Sequence, residues 1–161
     1  MMVVVRKLGR KDELKSVVEK AQKNGLLRLV KLSRECIEKG RCRGKTDRDE
    51  DVVINLRGIP LNEGDILEAD NGFLILIQLK EERVIEFELK DPVEAFKLGF
   101  ALGNYHMRVM LQGNKVYISA ELGEEFLLER FREYKPQVKE VVFKPNLELP
   151  VSPVVIDFAN A

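Results

Sequence analysis

The sequence predicts an α+β protein: a small β-rich N-terminal domain followed by a domain of order β-α-β-β-α-β. Three observations predict it. Between Val52 and Ile77, short apolar runs alternate with Gly, Pro and Asn turns, the mark of short strands. From Ile85 to Phe143, strand and helix periodicities follow one another as strand, helix, two strands, helix, strand. The chain has 161 residues, 45% of them hydrophobic, and its 27 Lys+Arg balance its 27 Asp+Glu. That is enough for one ordinary domain or two small ones.

The first half opens with a short helix. Leu14, Val17, Val18 and Ala21 fall at helical spacing, Asp12 is placed to cap them, and Asn24-Gly25 ends the run. Val52, Ile54 and Leu56 then alternate with Val53, Asn55 and Arg57, a half-buried strand. Gly58-Ile59-Pro60 and Asn62-Glu63-Gly64-Asp65 supply turns around Leu61. Asp70-Asn71-Gly72 is a further turn before the buried strand Phe73 to Ile77. The charged run Lys80-Glu81-Glu82-Arg83 reads as a linker. The predicted division is residues 1–80, residues 81–147 and an extended C-terminal tail, 148–161.

The second half is more sharply marked. Ile85, Phe87 and Leu89 share one strand face, with Glu86 and Glu88 on the other. Asp91-Pro92-Val93-Glu94 starts a helix: Asp91 as N-cap, Pro92 at the first turn where its missing N–H costs nothing, and Glu94 completing a capping box. Val93, Phe96, Phe100 and Ala101 read as its apolar face, and Gly103 as the residue that ends it in the left-handed conformation. Met107 to Gln112 and Lys115 to Ser119 form a hairpin about Gly113-Asn114. Leu122, Phe126, Leu127 and Phe131 mark a second helix, with Glu129 and Glu133 outward, and Val138 to Phe143 is the last strand. The order is the ferredoxin-like plan, which by itself selects no activity.

Several function classes are disfavoured. Residues 83–161 carry 10 Lys+Arg and 12 Asp+Glu, the wrong sign for a nucleic-acid binder. With Phe87 read into the core, Tyr117 is the only other aromatic candidate for base stacking on the central strands. The basic segment Lys39 to Lys45 is followed at once by Asp47, Asp49, Glu50 and Asp51, so it reads as a solvated strand and turn rather than a phosphate cradle. No apolar run approaches the roughly 20 residues of a membrane helix. Five residues lie between Cys36 and Cys42, which is no zinc-knuckle or redox-pair spacing. With no signal peptide read at the N-terminus, the expectation is a cytoplasmic chain with free thiols, although a disulfide is possible. No Ser/His/Asp set can be argued with one histidine and no supporting spacing.

That histidine is His106, in Leu102-Gly103-Asn104-Tyr105-His106. It is the one side chain suited both to a proton switch and to a borderline metal. A solitary histidine is more often a hydrogen-bonded structural residue, and it completes a metal site only with partners from elsewhere.

Three segments, in order, resemble a known family. Leu32-Ser33-Arg34 through Lys39-Gly40-Arg41 is similar to an S-R-x-x-x-x-K-G-R stretch. Arg57-Gly58-Ile59-Pro60-Leu61-Asn62-Glu63-Gly64-Asp65-Ile66-Leu67 is similar to an R-G-x-x-L-x-x-G-D-x-L turn and strand. Leu102 to His106 is close to an L-G-N-R-H signature, and Phe143-Lys144-Pro145 resembles the F-x-P that precedes the tail. Together they resemble the UreE family, urease accessory nickel metallochaperones.

The resemblance implies a homodimer whose C-terminal ferredoxin-like domains pair about a twofold axis, with His106 of each subunit binding Ni(II) as cargo. Zn(II) and Cu(II) suit the same imidazole. It also implies a carrier and no enzyme, and a partner- or peptide-binding N-terminal domain, with urease apoprotein and the urease accessory GTPase complex as partners, and neither nucleic acid nor membrane. Protons are expected to compete with the metal as pH falls. Two features depart from the family pattern. The tail has no histidine, and Tyr105 stands where Arg is common. The rival readings are a peptide-binding module of the same fold without metal delivery, and a nucleic-acid-binding ferredoxin-like protein.

Overall fold

The computed structural model describes residues 1–147, so the predicted tail, 148–161, lies outside the described residues. The chain is mixed α+β and divides into two compact units, Met1–Glu82 and Arg83–Ala161.

The first unit contains β1 (Met2–Arg10), α1 (Lys15–Lys23), β2 (Leu27–Leu32), α2 (Arg34–Lys39), β3 (Arg41–Lys45), β4 (Asp51–Asn55), β5 (Asp65–Ala69) and β6 (Leu74–Leu79). Its sheet runs β2-β6-β5-β1-β4-β3. A bridge between Val30 and Thr46 brings the two outer strands together, so the sheet curls around Val30, Leu32, Val52, Ile54, Ile75 and Ile77. Gly44 permits that approach, because a Cβ there would lie 3.1 Å from Leu32 and 3.2 Å from Val30. Val52, Ile54 and Leu56 point inward as their alternation predicts. β1 is a strand that the sequence reading passed over. Met2 and Val4 are buried while Val3 and Val5 face out. It pairs parallel with β4 and antiparallel with β5.

Three local expectations are corrected here. Leu14, not Asp12, precedes α1, and no side chain caps it. Only Lys80 and Glu81 separate β6 from the next strand, so the four-residue linker is half that length. Cys36 and Cys42 form a disulfide rather than free thiols. The cause is local. Ser33 caps α2 by accepting the Cys36 N–H at 3.1 Å, and Gly40 ends the helix at φ 65°. The chain therefore turns straight back into β3 and returns Cys42 to 5.5 Å from Cys36, Cα to Cα, within disulfide reach.

The second unit contains β7 (Glu82–Glu88), α3 (Pro92–Asn104), β8 (Val109–Gln112), β9 (Lys115–Ser119), α4 (Glu124–Arg130), a single 3-10 turn at Arg132–Tyr134, and β10 (Gln137–Val141). The sheet order is β10-β7-β9-β8, and β9 is antiparallel to both its neighbours. Ile85, Phe87, Val116 and Ile118 pack with Leu98 and Leu102 of α3 and with Leu127 and Phe131. Phe87 meets Phe131 edge-on at 5.6 Å. Val84, Met110 and Tyr117 cluster with Phe143. Tyr117 is thus buried and is no stacking platform. Glu86, predicted to face away from Ile85 and Phe87, is buried too, and Lys115 Nζ lies 3.2 Å from its carboxylate.

The inward face of α3 also differs from the reading. Val93, Phe96 and Phe100 are 64%, 76% and 65% exposed, while Leu98 and Leu102 are buried. This helix is apolar on two sides, and the smaller set packs on the sheet. Leu122 and Phe126 are likewise exposed, and of that predicted face only Leu127 and Phe131 are buried.

Candidate metal centre

The one residue singled out as a metal ligand, His106, is positioned entirely by α3. Asp91 caps the helix, its carboxylate accepting the Glu94 N–H at 2.8 Å, and Pro92 follows. The helix then runs through Gly103 to Asn104, with Tyr105 as C-cap. Gly103 does not terminate it. The left-handed residue is His106 itself, at φ 54°. Its N–H donates to the Gly103 carbonyl at 3.0 Å, and the Met107 N–H donates to the Leu102 carbonyl at 3.2 Å. These two bonds are the Schellman closure, whose left-handed position usually belongs to glycine. Met107 and Leu102 pack in the same core cluster, the apolar contact that accompanies this closure. The predicted strand from Met107 therefore starts only at Val109. A side chain in this conformation costs about 1 kcal/mol. His106 is exposed.

Arg130 Nε donates to the Tyr105 hydroxyl, and the Arg130 guanidinium lies 5.6 Å from the centre of that ring. Tyr105 also meets Phe131 edge-on at 5.9 Å. A cation from α4 thus lies against Tyr105, the neighbour of His106. Sequence reasoning missed Arg130, because nothing in its spacing ties it to Tyr105.

His106 also lines a cavity of about 750 Å³ formed by α3, β8 and the segment between them. Leu98, Leu102, Val109, Leu111 and Val116 supply much of its apolar wall, and Arg108 is its other charged or titratable member. Among the described residues there is no group of three or more His, Cys, Asp or Glu side chains able to hold a metal. Among the described residues, one copy of the chain therefore offers one imidazole, on an exposed residue beside an apolar hollow.

The fold and this site define a two-unit α+β protein whose distinctive chemical group is a single exposed imidazole at a helix terminus. No family model matches the chain. It is 34% identical over 106 residues to the urease accessory protein UreE of Prochlorococcus marinus, covering 63% of this chain and 71% of that one. Over 133 residues it is 28% identical to urease accessory protein UreE 1 of Pseudomonas syringae pv. syringae, covering 81% and 91%. The similarity to UreE of Burkholderia lata is 32% over 111 residues, but spans only 52% of that longer protein. The chain belongs to the UreE family of urease accessory proteins.

Proposed function

We propose that the protein is a nickel metallochaperone that binds Ni(II) between two copies of itself through His106 and delivers it for urease maturation. The observation that carries the reading is the setting of His106. The imidazole is exposed, held at φ 54° at the end of α3, on the helix that leaves Val93, Phe96 and Phe100 uncovered. A twofold dimer made through such a face supplies two imidazoles from a chain with one histidine. Imidazole nitrogen suits Ni(II), with water in the remaining positions. Zn(II) and Cu(II) suit it as well. A ligand-poor, exposed site also suits a carrier that must release its cargo. The strand order β10-β7-β9-β8, with α3 and α4 both contributing to one core cluster, supports the ferredoxin-like plan for this unit. The β-rich first unit is then the partner-binding domain for urease apoprotein or its accessory GTPase complex, in the cytoplasm.

Calorimetric titration of Ni(II) into wild type and His106→Ala, with the mass of each by light scattering, tests this. The expected result is one Ni(II) per dimer in wild type and none in the variant. Undiminished binding by the variant removes His106 from the site. No binding by wild type at near-millimolar nickel favours a peptide-binding module without metal handling.

A further inference from the structure

The apolar cavity beside His106 has its own geometric logic. β8 is an edge strand of its sheet. The chain comes back to that edge after β10. The Asn146 and Leu147 N–H groups donate to the Val109 carbonyl at 2.9 and 3.0 Å. The Asn146 side chain bonds the Leu111 N–H at 2.8 Å and the Leu111 carbonyl at 2.9 Å. Asn146 thus clamps the chain to the edge, and Leu147 lines the cavity while remaining 51% exposed.

Direction matters more than position. The pairing of Leu147 with Val109 is antiparallel. At Leu147 the chain therefore runs past Val109 in the direction of Arg108, Met107 and His106, which line the cavity. Fourteen residues follow, Glu148 to Ala161, and only Glu148 and Asp157 among them are charged. Leu149, Val151, Val154, Val155, Ile156 and Phe158 are apolar. At ~3.3 Å per residue the segment reaches up to about 46 Å. The thirteen residues of α3 span about 20 Å at 1.5 Å each, so some six extended residues cover the helix. Pro150 and Pro153 lack N–H donors and favour extended backbone, which suits a segment held by side-chain burial rather than by a continued ladder. On the α3 wall Gly99 and Gly103 leave open space where a Cβ would stand, so a chain can approach the helix closely.

We infer that this cavity is the docking groove for the chain's own C-terminal segment, residues 149–158. The occupant is the chain itself rather than a second copy, because Leu147, two residues before that segment, already lines the groove. Tethering gives it a local concentration on the millimolar scale. The inference is independent of nickel.

The test is metal-free methyl NMR on the full chain. Wild type is compared with the double variant Ile156→Asp, Phe158→Asp, each at two protein concentrations bracketing any dimer dissociation. Expected are contacts between the Ile156 methyls and those of Leu98 or Leu102 in wild type. The Leu98, Leu102 and Leu111 methyl resonances should move in the variant and stay put on dilution of wild type. Absence of those contacts, or identical resonances in the two proteins, overturns the inference. Wild-type resonances that move on dilution with the monomer fraction also overturn it, by giving the groove to a second copy. None of these outcomes depends on whether His106 binds metal.

Discussion

The N–H of His106 donates to the carbonyl of Gly103 at 3.0 Å, and with it the only imidazole of the chain takes the left-handed place that closes α3. Fold and proposed function pull in opposite directions at this residue. Glycine reaches φ 54° without the steric cost of a Cβ. His106→Gly should therefore raise stability by about 1 kcal/mol while abolishing nickel binding. Urea unfolding midpoints together with nickel titration check both halves. A glycine variant less stable than wild type would mean that the imidazole makes a structural contact that offsets the strain.

Val93, Phe96 and Phe100 form an exposed apolar row on α3, the kind of patch that marks an interaction surface. Phe96→Glu with Phe100→Glu should leave circular dichroism and unfolding midpoint nearly unchanged, because neither ring is buried in the described chain. If the proposed dimer forms through this face, the mass by light scattering should fall from dimer to monomer, and nickel binding should fall with it. A dimer that survives both substitutions places the interface elsewhere.

Much of the second unit was legible in the sequence because its signals are local. Asp91-Pro92 opens α3, and Gly113-Asn114 sets the hairpin between β8 and β9. What was not legible depends on contacts between distant segments. The exposed residues of α3 carry the bulkier apolar side chains, so periodicity alone chose the wrong face to bury. β1 was missed because its alternation sits in an unbroken Val run, where exposed Val3 and Val5 look no different from buried Met2 and Val4. The disulfide was left open because it depends on the turn at Gly40, not on the Cys spacing. At the site, the sequence singled out His106 but not Arg130, which reaches Tyr105 from 25 residues away.

The disulfide should matter to the first unit. Cys36 is buried in the core cluster and Cys42 packs against it, so the bond ties α2 to β3. Closing so short a loop is worth about 2 kcal/mol on chain-entropy grounds. Cys42→Ser, or wild type in excess dithiothreitol, should lower the unfolding midpoint accordingly. A midpoint unmoved by reductant in a protein whose thiols titrate as free would show that the bond contributes nothing.

Acid should weaken the first unit through Glu50. Arg28 is only 6% exposed. Its guanidinium lies 4.5 Å from the Phe73 ring centre and donates to the carbonyls of Gly25 and Leu27. Its remaining partner is the Glu50 carboxylate, which also accepts from the Thr46 hydroxyl at 3.0 Å. The hydrogen bond from Arg28 holds the Glu50 carboxyl below its ordinary value, against an opposing effect of burial, and the Thr46 bond adds to the lowering. A carboxyl lowered in the folded state contributes stability that is present above its unfolded value, about 4.3. That contribution is lost as pH falls through the folded value. Glu50→Gln should therefore be less stable than wild type at pH 7, where it leaves a buried cation without its counter-charge. The gap should narrow steadily below about pH 4 as wild type protonates the same group. Thermal unfolding of both proteins between pH 7 and pH 2.5 measures this. A gap that stays constant across that range would mean that Glu50 acts through its shape and hydrogen bonds and not through its charge.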